Sequence, residues 1–335
     1  MRTGLRTGRL AGATAAAAAG VIALAGCGVG DSGGSGAGGS GGELTLATGS
    51  TGGTYYPLGS EVAKIWSDNI EGVNVSTQSS GASVENMRLL DQGENELVMA
   101  INGVAANAVE GAADFKEEPL SNPGDVRTLG NVYPEVLQVV ATEDSGIETI
   151  EDLKGKRVDI GPPGSGTAVA AQQILEAYGM STEDVETFNS TFEDAASKLS
   201  DGQTDAAFAI LALPAGSIEQ VATSTDVRLV DITGDGLDQL TTDNPSYSPL
   251  TIEAGTYNGQ DEPAETVTNW ATLYATSELD EDTAYSLVKE MYERADQIGH
   301  DVGSQIKLET ATDGSGPIDF HPGAQRYYEE EGALE

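Results

Sequence analysis

The chain is poor in most residues that carry chemistry. Among 335 residues there is one cysteine, Cys27, and there are two histidines, His300 and His321. A His/Cys metal centre and thiol catalysis are therefore not expected, and no disulfide can form within the chain. Stability must come from packing. Basic residues are also scarce, with 16 Lys and Arg against 54 Asp and Glu and a formal net charge of −38. Nucleic acid and anionic lipid surfaces both demand basic patches, so neither nucleic acid nor peripheral lipid docking is expected. The acids are scattered along the chain rather than gathered in one block, which reads as a solubilising surface.

What is present begins at the N-terminus. Arg2, Arg6 and Arg9 precede an apolar, Ala-rich stretch at 15–25 that ends in Leu24-Ala25-Gly26-Cys27. This is the pattern of a signal peptide, residues 1–26, and its apolar run is too short to span a hydrocarbon layer of ~30 Å. Its end resembles a bacterial lipobox, in which the cysteine takes a diacylglycerol and becomes the new N-terminus. Cys27 is thus the expected lipidation site, and an extracytoplasmic body anchored by lipid to the cell membrane is the expected location. Residues 27–42 are almost entirely Gly and Ser after the cysteine and read as a flexible tether. Cleavage would leave 13 basic residues against 54 acidic ones, a net charge of −41.

Beyond the tether the pattern is α/β. An alternating strand at 43–47 runs into Thr48-Gly49-Ser50-Thr51-Gly52-Gly53-Thr54 and then a helical pattern at 56–68. The same unit recurs at 157–160, followed by Gly161-Pro162-Pro163-Gly164-Ser165-Gly166-Thr167 and a helix at 168–178. Further strands are expected at 73–77, 97–101, 206–211 and 227–232, with helices at 84–92 and 281–297, and a helix ending near 199. The expected fold is two-lobed and periplasmic-binding-protein-like, with a ligand cleft between the lobes. Lobe 1 would take residues 43–135, lobe 2 residues 136–250, and the return to lobe 1 with the C-terminal helices residues 251–335. Extended segments at 128–140 and 251–256 are the expected hinge crossings.

The two Gly-rich loops, together with Tyr133-Pro134-Glu135, the run Asp152-Leu153-Lys154-Gly155-Lys156-Arg157, Gly202-Gln203-Thr204-Asp205 and His321-Pro322-Gly323-Ala324, resemble the TAXI family in the same order. Members are solute-binding subunits of TRAP transporters. The resemblance implies a small anionic solute, such as glutamate or a 2-oxo or dicarboxylic acid, and a TRAP membrane subunit driven by an ion gradient. At Ile101-Asn102-Gly103 the chain departs from a Gln-x-Asp sequence usual in that family, which bears on ligand preference if the segment lines the cleft.

The loops also carry a reading of their own. A Gly-rich turn between strand and helix exposes backbone N–H groups at the positive end of the helix dipole, which suits a carboxylate. The candidate ligand-binding residues are Ser50, Thr51, Gly53, Thr54, Tyr55, Ser80, Asn102, Ser165, Gly166, Thr167 and Pro214. Neither loop has a Walker lysine or a GxGxxG fingerprint. No nucleophile elbow surrounds Ser165, and His321 reads as a turn residue bonded to backbone. No catalytic residue, cofactor or metal is expected. A binding lipoprotein of an ATP-driven importer, or a sensory one, is the alternative.

Overall fold

The computed structural model describes residues 42–314 and 316–334. The expected signal peptide, Cys27 and nearly all of the tether lie outside the described residues. The body opens with β1 (Glu43–Ala47) and α1 (Tyr55–Asn69), whose Leu58, Val62, Ile65 and Trp66 recur at helical spacing and are buried. Trp66 donates its indole N–H to the Leu287 carbonyl at 2.8 Å, pinning α1 to a helix near the C-terminus. Next come β2 (Asn74–Gln78), α2 (Ser83–Asp91) and β3 (Leu97–Ile101). All five residues of β3 are buried, as expected of a strand covered on both faces. A helix that the sequence reading does not place follows at once, α3 (Asn102–Glu110). Asn102-Gly103 looks like a turn, yet the Asn102 side chain accepts from the Gly103 and Trp270 amides and opens the helix.

A 17-residue strand, β4 (Val126–Thr142), leads to β5 (Arg157–Asp159), α4 (Gly166–Ala177), β6 (Glu186–Phe188) and α5 (Phe192–Ser200). The chain continues through β7 (Ala206–Leu211), α6 (Gly216–Ser224), β8 (Val227–Leu229), α7 (Gly234–Asp243) and β9 (Ser248–Ile252). It returns in β10 (Ala264–Thr276) and closes with α8 (Glu281–Glu293) and α9 (Pro322–Glu331). The helix expected at 281–297 stops at Glu293, and Ala295–Gln297 forms a separate 3-10 turn.

The strands form one mixed sheet in the order β2-β1-β3-β10-β4-β7-β5-β6, with β8 beside β4 and β9 beside β10. Two parallel triplets, β2-β1-β3 and β7-β5-β6, flank an antiparallel centre of β10 and β4. β4 pairs with β10 over its first part and with β7 from Val136 to Ala141, so a single strand joins both halves of the sheet. Its 17 residues contain the expected crossing at 128–140. The second long central strand is β10, whereas 251–256 lies at the end of β9, which pairs with β10 alone. That segment looked extended in sequence because β9 is a strand, but it is off the main strand path.

Candidate functional site

The loops that follow β1, β2 and β5 meet at the C-terminal ends of the parallel strands, the usual ligand side of an open α/β sheet. They enclose a cavity of about 80 Å³ lined by Gly49, Ser50, Gly53, Thr54, Tyr55, Ser80 to Ser83, Ile101, Glu135, Pro162, Ser165 to Thr167 and the start of α5. A single water needs ~10–15 Å³ on this measure, so several waters or a small solute fragment fit.

On the β1 side, Gly53 donates to the Ser50 carbonyl and closes a tight turn, while Thr54 begins α1 with no side-chain cap. The first amides of α1 are thus left for a ligand. Asn86 is fully buried and binds together the strand ends around this loop, donating to the Thr48 carbonyl at 2.6 Å and the Met99 carbonyl at 2.7 Å. It also accepts the Ser80 hydroxyl at 2.6 Å. Ser80 therefore lines the cleft with its proton already committed. Ala82, which begins α2, has φ 75° and ψ −140°, a conformation costly for any residue with a side chain.

On the β5 side, the loop is held by buried Asp159, which accepts the Gly161 amide at 3.2 Å and the Ser190 amide at 2.9 Å. Gly161 and Gly164 have φ of +89° and +78°, which glycine adopts without strain. Ser165 caps α4: its hydroxyl donates to the Pro162 carbonyl at 2.7 Å and accepts the Ala168 amide at 3.1 Å. Among the described residues, the Gly166 and Thr167 amides find no acceptor. So Ser165 builds the cradle, and the two amides after it are what the cradle offers.

The two halves of the sheet touch across this cleft. The Gly164 carbonyl accepts the Val84 and Glu85 amides at 3.1 and 3.2 Å, capping α2 from the opposite half. A Cβ on Gly166 would stand 2.2 Å from Cδ1 of Ile101, so the loop approaches β3 as closely as glycine permits. This is a closed arrangement.

Deepest in the cleft is Glu135, quoted in the sequence only as part of a motif. Its side chain is buried, and its two oxygens accept the Tyr55 hydroxyl at 2.8 Å and the Tyr133 hydroxyl at 3.0 Å. Burial pushes its carboxyl up to about 7, although both hydroxyls favour the ionised form. Burial, and then the charge of Glu135, hold both tyrosines far above their ordinary range. Among the described residues, no lysine, arginine or histidine lines the cleft. Arg88 points elsewhere, over the Phe115 ring and onto the Asp114 and Glu118 carbonyls.

Of the sequence candidates, Ser50, Gly53, Thr54, Tyr55, Ser80, Ser165, Gly166 and Thr167 come together here. Three do not. Thr51 is exposed and outside the lining, and Pro214 lies past the end of β7, exposed, after a cis peptide bond. Asn102 faces a different cavity, of about 720 Å³, beside Trp270, and none of the residues of the two Gly-rich loops reaches it. Beyond Glu135, the reading also missed Ile101 and Phe192, since apolar residues carry no chemical signal in sequence, and Ser83, whose hydroxyl accepts the Ile101 amide at 3.1 Å. His321 behaves as expected. Its Nδ1 accepts the Gly323 amide at 3.2 Å, so Nε2 donates to the Leu279 carbonyl at 3.0 Å.

The sequence matches a family described as NMT1-like over residues 46–332. The chain belongs to the NMT1-like family. Among solved structures, this NMT1-like protein is similar to one from Bordetella bronchiseptica RB50, at 16% identity and a TM-score of 0.50 over 88% of this chain and 89% of that one. It is also similar to the alkanesulfonate-binding protein SsuA of Xanthomonas axonopodis pv. citri, bound to MOPS, at 16% identity and a TM-score of 0.48, over 85% and 82% of the two chains. A putative L-cystine ABC transporter protein of Listeria monocytogenes aligns at 13% identity and a TM-score of 0.49, over 80% and 98%. At these identities the likeness concerns the fold alone, an α/β fold matching that of periplasmic binding proteins, with a mixed sheet between helices.

Proposed function

We propose that this protein is an extracytoplasmic solute-binding subunit that closes two lobes over a small carboxylate and delivers it to a membrane importer. The observation that carries the reading is the convergence of two helix N-termini with free amides, those of α1 and α4, on one cleft. Lobe 1 would comprise residues 43–135 and 251–335 and lobe 2 residues 136–250, hinged on β4 and β10. Mass spectrometry of the solute that co-purifies with the protein, followed by thermal-shift titration with it, tests the reading. A raised melting point is expected, and no shift with any small acid would defeat it.

Two importers fit. An ATP-driven one stands first, because the transport systems named for similar structures, those for L-cystine, sulfonate and amino acids, are ABC systems. The TRAP reading rests on the ordered TAXI-like motifs alone, and the family matched over residues 46–332 is the NMT1-like one. Uptake in vesicles that follows ATP supports the first, and uptake that follows a sodium gradient supports the second. The anchor is part of the same proposal: Cys27→Ala should release the protein from the membrane fraction, and full retention would remove the lipobox reading.

A further inference from the structure

We propose that Glu135 binds the ammonium group of the solute, and that the solute is therefore an α-amino acid whose carboxylate lies on the loop amides. This rests on the carboxylate-capture reading above and narrows it.

Three observations converge. First, Glu135 lines the cleft, and each of its oxygens accepts one tyrosine hydroxyl. A carboxylate offers about four acceptor positions, so each oxygen keeps one for a solute donor. Second, among the described residues, Glu135 has no cationic partner: its neighbours are tyrosines that donate hydrogen bonds without bringing charge. A buried carboxylate is costly without a counter-charge, and a solute ammonium would supply it. Third, two further acids stand exposed at the rim, where the Glu85 carboxylate accepts the Gly81 amide at 2.8 Å and Glu193 lies against Gly52, while buried Asp159 is already paired with Lys198. A dianion would meet carboxylates at the floor and at the rim with no basic side chain among the described lining residues to offset them. A zwitterion meets each charge with its complement.

The same geometry sets a pH dependence of known sign. Facing Glu135 are Tyr55 from α1, Tyr133 from β4 and Tyr247 from the segment before β9, all held by burial above their ordinary range. None of these tyrosines titrates near neutrality, and neither rim acid is in contact with Glu135, which leaves Glu135 itself. An ammonium needs the ionised carboxylate, so affinity is full above about 7 and is lost as pH falls through that value. A 2-oxo acid needs a donor in the same place, so its affinity would move the opposite way.

The test is calorimetric titration of the purified protein with matched pairs: L-glutamate and 2-oxoglutarate, L-alanine and pyruvate, L-leucine and its 2-oxo analogue. At about pH 8 at least one amino acid should bind about 10- to 100-fold more tightly than its partner, the range of a charge-assisted hydrogen bond. That preference should shrink at about pH 5.5, and Glu135→Gln, folded by circular dichroism, should abolish it. The parent pH profile decides the matter even if the variant does not fold. A 2-oxo acid that binds as tightly as its amino partner at about pH 8 overturns this inference and leaves carboxylate capture standing. Failure of every pair to bind overturns both.

Discussion

The two Gly-rich loops look alike in sequence and do different work. The loop before α4 is self-sufficient: Asp159 holds its start, Ser165 caps its helix, and two amides remain free. The loop before α1 has no side-chain cap, and its tyrosine instead reaches down to Glu135. One loop offers fixed dipoles, and the other is braced through Tyr55 on Glu135 of β4, a group that changes charge. Similar turn chemistry thus builds one wall that is indifferent to pH and one that responds to it.

The largest expected effect separates the walls by titration. Because burial raises the folded pKa of Glu135 to about 7, the folded state holds a proton that the unfolded chain has released between the ordinary carboxylate range and that value. Stability contributed by this group therefore falls as pH rises through that window, by about 3 kcal/mol in all. Urea melts of the parent and Glu135→Gln should diverge in that direction, with the variant the more stable at neutral pH. Parallel curves would remove the contrast. Next, Gly166→Ala places a methyl against Ile101 in the closed arrangement and should weaken solute binding by about 1–3 kcal/mol, as overpacking does. Adding Ile101→Ala should restore most of it in the same titration. Removing the cap with Ser165→Ala should lower stability by about 1 kcal/mol in a thermal melt. Affinity should change less, since the amides stay. The smallest effect is expected at Ala82, where glycine relieves the backbone and should add up to about 1 kcal/mol; a loss of stability would show that the Cβ is needed.

Much of this architecture is legible in the sequence, for identifiable reasons. The strands at 97–101 and 206–211 appear with the expected bounds because they are short, wholly apolar runs preceded by polar residues. The strand at 227–232 shortens to Val227–Leu229, because after the Val230 amide bonds to the Val139 carbonyl of β4 the chain turns and Ile232 bonds to the Glu265 carbonyl of β10 instead. The sequence reading does not place the helix at 102–110, whose start is marked only by the Asn102 side chain accepting two backbone amides. Within the site, glycines and hydroxyls announce the loops, but one carboxylate among 54 acidic residues carries no mark of burial. Tyr133-Pro134-Glu135 was visible as a motif. Its role depends on Tyr55, 80 positions away in the chain, and no local pattern encodes that meeting.

The long strand β4 has a consequence for how the protein comes apart. It pairs with β10 along its first stretch and with β7 along its second, and the core beneath α2, α3 and α4 is continuous from one half of the sheet to the other. If either half melted alone, the survivor would be left with a bare strand edge and an opened apolar face. Denaturation should accordingly run as one cooperative event, with a single calorimetric peak whose van't Hoff and measured enthalpies agree.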